Sequence, residues 1–319
     1  KSYKIMQVNG LIFKELIKRG YSLEGHTRVW NISDSKLWYL TPAQAQAYLD
    51  VEDSKRYQGT IADLEMDLLN KHIAKIVSKV LNGNKVNIID IGCGDGRKAV
   101  PVVNEISKRK TLRYCPVDIS SYMVSKAINR LKDLNKGEVI EFKWNISDFD
   151  NLENVSALLR DINFRQNFFL FLGGTVTNFE VHEVMQEVAE ALDNNLDYLL
   201  IGLGLRTEKI FELTKNLRSP EFDNFFSKVL TQIGFDKKDL EFSTRYREPR
   251  IEWYYTIKRD KMISLGDRTI QFNAGDQILV AVTYRYTKEE FQRALKYYFN
   301  KVEFFTSKDG SRAIVLCKK

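Results

Sequence analysis

From residue 60 to about residue 205, short apolar runs alternate with amphipathic stretches. That alternation predicts a parallel sheet covered by helices on both faces. Val86–Ile91, Leu112–Val117, Val139–Trp144, Asn167–Leu172 and Tyr198–Gly202 read as five strands. Ile61, Leu64, Leu68, Ile73, Ile76 and Val80 recur near helical spacing over Thr60–Leu81, and Asn82-Gly83-Asn84 stops that helix. Met123, Ala127, Ile128 and Leu131 mark one face of a helix over Ser120–Leu134. Other helices follow the first strand to about Lys108, start at Val155–Leu159 and run to Ala191-Leu192. Upstream, Ala43–Leu49 reads as helical, and residues 1–35 show no clear period.

Residues 206–286 break the alternation. Phe211–Leu217 and Phe222–Ile233 look helical, while Ile251–Ile257, Thr269–Phe272 and Gln277–Tyr286 look like strands. The chain returns at Thr287-Lys288-Glu289-Glu290, a capping-box sequence that opens a helix to about Phe299. Lys301–Thr306 and Arg312–Cys317 form a closing strand pair, one of them antiparallel to the sheet. The expected fold class is α/β: a Rossmann-like domain of residues 60–205 and 287–319, with 1–59 and 206–286 as an inserted α+β substrate-binding lobe. By fold analogy, this ending is that of class I methyltransferase sheets.

Composition changes the picture little. Of 319 residues, 44% are hydrophobic and 29% charged, as in a soluble globular protein. No apolar run approaches the roughly 18–20 residues of a membrane span, and Lys1-Ser2-Tyr3-Lys4 leads into an amphipathic stretch rather than a signal peptide. A cytoplasmic location is expected. Three cysteines and three histidines show no disulfide framework and no metal-ligand spacing, so no metal is expected. The net charge of +7 fits an anionic partner such as RNA, or a lysine-rich solvated surface. Interleaving such as Lys288-Glu289-Glu290 favours the surface.

The chemistry concentrates at Ile88-Ile89-Asp90-Ile91-Gly92-Cys93-Gly94-Asp95-Gly96. Gly92, Gly94 and Gly96 follow a strand and precede a helix, where bare backbone can turn tightly and approach a ligand. Asp90 ahead of Gly-x-Gly-x-Gly points to S-adenosylmethionine rather than a dinucleotide, whose pyrophosphate needs a helix N-terminus. A Gly-rich turn without ligand is the plainer alternative. Asp118 ends the second strand and is placed to accept from ribose hydroxyls. Asp148 follows the third and could accept from the adenine amino group, with Phe149 beside the ring, or be a loop or cap residue. The fourth strand ends in Phe171-Leu172-Gly173-Gly174-Thr175-Val176-Thr177-Asn178-Phe179. Ligands bind at the carboxyl ends of parallel strands, so these polar residues face the transferred methyl group. Asn178 can hold an amino group and a carboxylate, or cap a helix.

The order of these motifs resembles the histidine-specific, S-adenosylmethionine-dependent N-methyltransferases of ergothioneine biosynthesis. The resemblance runs through Ile88–Gly96, Asp118, Ser147-Asp148-Phe149 and the Gly173–Phe179 loop, similar to that family's Gly-Ser-Thr-Ile-Gly-Asn-Phe. It continues in Arg250-Ile251-Glu252-Trp253, Phe272-Asn273-Ala274-Gly275-Asp276-Gln277-Ile278 and Tyr284-Arg285-Tyr286-Thr287. Trp38-Tyr39-Leu40-Thr41 is similar to the family's Tyr-Tyr-Pro-Thr. The resemblance implies a cofactor site at Asp90, Gly92, Cys93, Gly94, Gly96, Asp118, Asp148, Phe149 and Gly173. It implies substrate contacts from Tyr39, Thr175, Asn178, Trp253 and Thr283.

The departures bear on the acceptor. Where the histidine enzymes carry a Glu-x-Ser pattern, this chain has Ala281-Val282-Thr283; Trp253 replaces a methionine; and no Tyr-Asp-Asp segment occurs near Lys209–Leu213. The expectation is therefore N-methylation of a small amine or amino-acid-like molecule other than histidine. Trp253, Tyr254 and nearby aromatics suit an apolar, aromatic or cationic amine, unless they simply pack a core. The alternatives are an RNA or protein methyltransferase, and a non-catalytic cofactor-binding protein.

Overall fold

The computed structural model describes residues 2–54, 63–81, 83, 85–193 and 195–319, with side chains from residue 10 onward. The predicted helix start at Thr60 and Ile61 and the helix stop at Asn82 and Asn84 lie outside these residues. The chain divides into two compact units, one of Lys1–Ser54 and Glu208–Tyr284, the other of Lys55–Thr207 and Arg285–Lys319.

In chain order, the first segment holds α1 (Ser2–Arg19), β1 (Tyr21–Glu24), β2 (Thr27–Asn31) and α2 (Pro42–Glu52). The alternating segment follows: α3 (Asp63–Val80), β3 (Lys85–Ile91), α4 (Val100–Ser107), β4 (Thr111–Val117) and α5 (Ser121–Leu134). It goes on through β5 (Glu138–Val139), α6 (Leu152–Leu159), β6 (Asn167–Phe171), α7 (Val181–Ala191) and β7 (Tyr198–Gly204). The excursion supplies α8 (Ile210–Asn216), α9 (Pro220–Thr231), β8 (Leu240–Arg247), β9 (Arg250–Ile257), β10 (Lys261–Leu265), β11 (Arg268–Phe272) and β12 (Gln277–Tyr284). Last come α10 (Lys288–Leu295), β13 (Lys301–Thr306) and β14 (Arg312–Lys318).

The larger unit is a seven-stranded sheet in the order β13-β14-β7-β6-β3-β4-β5. Its strands run parallel except β14, which pairs antiparallel with both neighbours. This is a Rossmann-like sheet closed by one antiparallel strand, as the sequence pattern leads one to expect. Strand alternation divides the core. Val86, Ile88, Phe168, Leu170 and Leu200 meet Leu69, Ile73 and Ile76 of α3 on one face. Ile89, Ile91, Phe169, Phe171 and Ile201 meet Val184, Val188 and Leu295 on the other. Each large side chain fully buried this way contributes on the order of 1.5–3 kcal/mol, so both helical layers are anchored by the same strands.

The third strand is the main departure. Its ladder covers only Glu138–Val139, not Val139–Trp144, and Lys143–Asn145 forms a 3-10 turn. The reason is Asn145, whose buried amide donates to Pro116 O at 2.6 Å while its oxygen accepts from Phe142 N at 2.6 Å. That side chain takes over bonds a longer strand would make, and the chain rejoins the sheet edge through an isolated bridge between Asp118 and Ile146.

The smaller unit carries a five-stranded sheet in the order β1-β2-β12-β9-β8 and a separate β10–β11 hairpin. One side of β9 packs Trp253 and Tyr255 toward α9; the other carries Glu252 and Tyr254. Glu252 is fully buried, with Arg245 Nε at 2.6 Å and Arg250 Nε at 2.8 Å satisfying its two oxygens. Among the described residues no helix is long and apolar enough to cross a membrane.

Candidate cofactor site

The turn after β3 is shaped by what lies against it. Gly92 and Gly96 have φ of 61° and 78°, in the left-handed region. A β-carbon at Gly92 would stand 2.8 Å from Thr175 Cγ2, and one at Gly96 2.9 Å from Leu131 Cδ2 and 3.0 Å from Ala127 Cα. These two glycines let the turn press against the β6 loop on one side and α5 on the other. Between them, Gly94 faces open space, with nothing within 4 Å of where its β-carbon would be. Asp95 fixes the turn from below: it is buried and ion-paired to Arg97 and to Arg130 of α5, each at 2.8 Å.

Asp118 closes on the open part of the turn. One carboxylate oxygen accepts from Gly94 N at 3.1 Å and the other from Ser120 N at 2.9 Å. The Ile119 amide bonds the same carboxylate. Burial pushes its pKa up to about 6, against the lowering effect of those amides. Asp90 is buried beneath the turn and accepts from Tyr114 Oη at 2.6 Å; burial pushes it up to about 7. Cys93 is half-buried in the same turn, and burial raises its thiol well above the ordinary range. Among the described residues no group of three His, Cys, Asp or Glu side chains is arranged to hold a metal ion.

The other predicted residues fall at neighbouring strand ends. Asp148 is half-buried and makes no side-chain capping bond, and Phe149 packs its ring 4.9 Å from Phe179 and 5.5 Å from Phe171. Thr175 lies against Gly92, and its hydroxyl points back to Leu172 O at 3.5 Å. Asn178 ends the 3-10 turn Thr175–Asn178, but it is not the cap of α7. Glu180 is, accepting from His182 N and Glu183 N. Gly173 donates to Glu65 Oε1 at 2.6 Å, and its absent side chain makes room for Lys98 Nζ. Sequence reasoning passed over Lys98 and Glu65. The lysine two residues past Gly96 was a readable signal; the glutamate, 108 residues from Gly173, was not.

In the smaller unit, Tyr39 is half-buried between Tyr48 at 5.5 Å and Phe225 at 5.8 Å. Trp253 is 5% exposed, lies 5.5 Å from both Phe222 and Phe226, and donates its indole N–H to Leu217 O at 3.3 Å. Thr283 is buried on β12. Trp253 and Tyr254 point to opposite faces of β9, so they do not line one pocket together. Arg245 covers the Tyr254 ring at 4.5 Å, so that aromatic face already holds a cation of the protein's own.

A sequence profile of the family described as histidine-specific, SAM-dependent methyltransferases matches residues 54–319. The chain belongs to that family. This methyltransferase is accordingly an S-adenosylmethionine-dependent enzyme. No curated protein sequence matches it significantly. Among solved structures it is similar to Streptomyces venezuelae DesVI, at 14% identity and a TM-score of 0.39, covering 85% of this chain and 98% of that one. It is similar also to the CurJ carbon methyltransferase, at 11% identity and a TM-score of 0.47, covering 87% and 60%. A third is the Burkholderia thailandensis 1,6-didemethyltoxoflavin-N1-methyltransferase, at 9% identity and a TM-score of 0.40, covering 94% and 98%. At these values none of them informs the acceptor.

The residues present suit the methyltransferase's cofactor. Gly94 leaves a bare, open approach to the backbone, and the Asp118 carboxylate stands beside it, held by backbone amides. The raised pKa values of Asp90 and Asp118 give the site a pH signature with two opposite signs. In the cofactor-free protein, Asp90 and Asp118 hold protons that an unfolded chain gives up near pH 4, so they subtract stability as pH rises from about 4 to about 7. Accepting from ribose hydroxyls needs Asp118 ionised. With a pKa near 6, its ionised fraction rises about tenfold between pH 5 and pH 7. Calorimetric affinity for S-adenosylhomocysteine is expected to climb by about that factor; a flat profile would remove Asp118 from the contact.

Proposed function

We propose that this methyltransferase transfers a methyl group to the nitrogen of a small amine or amino-acid-like molecule other than histidine. The observation that carries the reading is Asn178: the cap of α7 is Glu180, so the asparagine amide is not spent on the helix and can donate and accept toward an amino group and a carboxylate. The second support is Ala281, fully buried on β12 where the histidine enzymes carry the glutamate of their Glu-x-Ser pattern.

S-adenosylmethionine supplies an already activated methyl carbon, so the chemistry is a single in-line displacement by the acceptor nitrogen. The protein's contribution is then alignment. We assign Asp118 to the ribose hydroxyls, and Gly92, Cys93, Gly94 and Gly96 to the bare backbone against which the cofactor rests. Asp90 is the buried acid that shapes that turn. Asp148 and Phe149 are assigned to the adenine end. Gly173 and Lys98 are assigned to the amino-acid end, where the lysine ammonium complements the cofactor's carboxylate. Thr175 braces the β6 loop against Gly92, and Asn178 orients the acceptor. In the smaller unit, Tyr39, Trp253 and Thr283 are the candidates for acceptor choice, with Trp253 acting from within a packed aromatic cluster. A cytoplasmic location accords with this small-molecule chemistry.

The test is a panel of amines and free amino acids, histidine included, incubated with S-adenosylmethionine while S-adenosylhomocysteine release is followed. Turnover is expected with at least one amine and not with histidine. Preferential histidine turnover would overturn the acceptor reading, and turnover confined to RNA or protein would overturn the substrate class.

A further inference from the structure

β7 is an interior strand, yet it carries glycines at 202 and 204, two positions on the same face. Glycine weakens a strand and often marks a place where other atoms approach the backbone closely. A β-carbon at Gly202 would stand 2.5 Å from Glu65 Oε1; one at Gly204 would stand 3.4 Å from Arg285 Cζ and 3.5 Å from Arg312 Cζ. Three buried charged side chains therefore lie over bare strand.

Glu65 projects from the first turn of α3 and is 2% exposed. Its Oε1 accepts from Gly173 N at 2.6 Å, and its Oε2 lies 3.9 Å from Arg312 Nη1. The next amide, Gly174 N, donates to Gly202 O at 3.2 Å. Two successive amides of the β6 loop are thus held, one by a carboxylate and one by the strand. Lys98 Nζ stands on the open side of Gly173, and Thr175 of the same loop abuts Gly92.

A buried carboxylate facing a guanidinium at 3.9 Å is a poor device for stability, because desolvation offsets much of the attraction. What it offers that an apolar side chain cannot is an acceptor for the Gly173 amide. We infer that Glu65 is a positioning residue: it fixes Gly173, and through it the loop that carries Thr175 and Asn178, in the shape that receives the amino-acid end of the cofactor. The inference rests on the assignment of that loop to the cofactor.

Two variants separate positioning from simple support. Glu65→Gln keeps an oxygen for Gly173 N–H and loses the charge facing Arg312. Glu65→Asp keeps the charge and loses the reach. Calorimetric titration with S-adenosylhomocysteine is expected to give the glutamine variant a Kd within about threefold of wild type and the aspartate variant one about tenfold weaker. Thermal midpoints are read alongside. Equal affinities in all three proteins, or the reverse order, would overturn the inference, since a structural ion pair favours aspartate. Should Glu65→Asp not fold, Gly202→Ala, which crowds the carboxylate from the strand side, must show the same affinity loss or the inference fails. Absence of binding by the wild-type protein would instead sink the cofactor assignment on which it stands.

Discussion

Replacing Asp118 with alanine is expected to weaken S-adenosylhomocysteine binding by about a hundredfold. The carboxylate does two jobs at once. It holds Gly94 N and Ser120 N in place, and it stands beside the uncovered backbone of Gly94, where we assign the ribose. Charge-assisted hydrogen bonds to a ribose diol contribute about 1.5–3 kcal/mol each, so loss of two accounts for the factor before any loop movement is counted. Asparagine is not a mild replacement, because its NH2 group would have to face one of the two backbone amides the carboxylate now accepts from. The measurement is calorimetry at pH 8, above the acidity of Asp118, where the wild-type group is ionised. A Kd within about threefold of wild type would remove Asp118 from the site.

The second large effect is expected from Gly96→Val. Its β-carbon would press on Leu131 and on the backbone of α5 at Ala127, with φ held at 78°. Neither relief is cheap: the helix backbone is fixed by its own bonds, and a β-branched residue at positive φ is strained. A destabilisation of about 3 kcal/mol is expected, read as a fall of roughly 6 °C or more in the thermal midpoint. Loss of cofactor binding should accompany it, because the same turn carries Gly94. An unchanged midpoint would show that α5 can withdraw, and that the turn is looser than its contacts imply. Gly94→Ala tests backbone strain without crowding, since its β-carbon would meet no atoms while φ stays at 53°.

The parts of the fold that read clearly from the sequence are those whose signal is local. β3, β4, β6 and β7 are nearly fully buried on both faces, so they read as predominantly apolar short runs despite Asn87, Asp90 and Arg113. The glycine turn and Asp118 are legible for the same reason, being a motif and a strand end. β8 is half-buried and reads Leu-Glu-Phe-Ser-Thr-Arg-Tyr-Arg, with arginines that pair to Glu252 and Glu24. β1 and β10 are largely exposed, and β2 joins its sheet by pairing with β12, far along the chain. The overlong third strand shows the opposite error. Its apolar and aromatic residues suit a strand, but one asparagine side chain supplies the bonds that end it.

Among candidate site residues, the sequence singles out those that chemistry makes conspicuous, and passes over those that hold a neighbour in place. Glu65 looks like an ordinary first-turn acid on an amphipathic helix. Only Gly202, an oddly bare position in an interior strand, hints that something must lie there. Trp253 and Tyr254 are adjacent in sequence and so suggest a shared pocket. The pleat sends them to opposite faces.

β14 lies inside the sheet, between β7 and β13, although it comes after every other strand. As the ribosome makes this chain, β7 is ready long before its neighbour exists, and residues 208–284 must be produced first. Until β14 arrives, β7 shows an unpaired edge of almost pure hydrocarbon, Leu199–Leu203, which is an invitation to aggregate. Recombinant yield should therefore respond more to slow translation and chaperone supply than to the stability of the finished protein, and trimming residues 312–318 would remove the strand that joins β13 to the sheet.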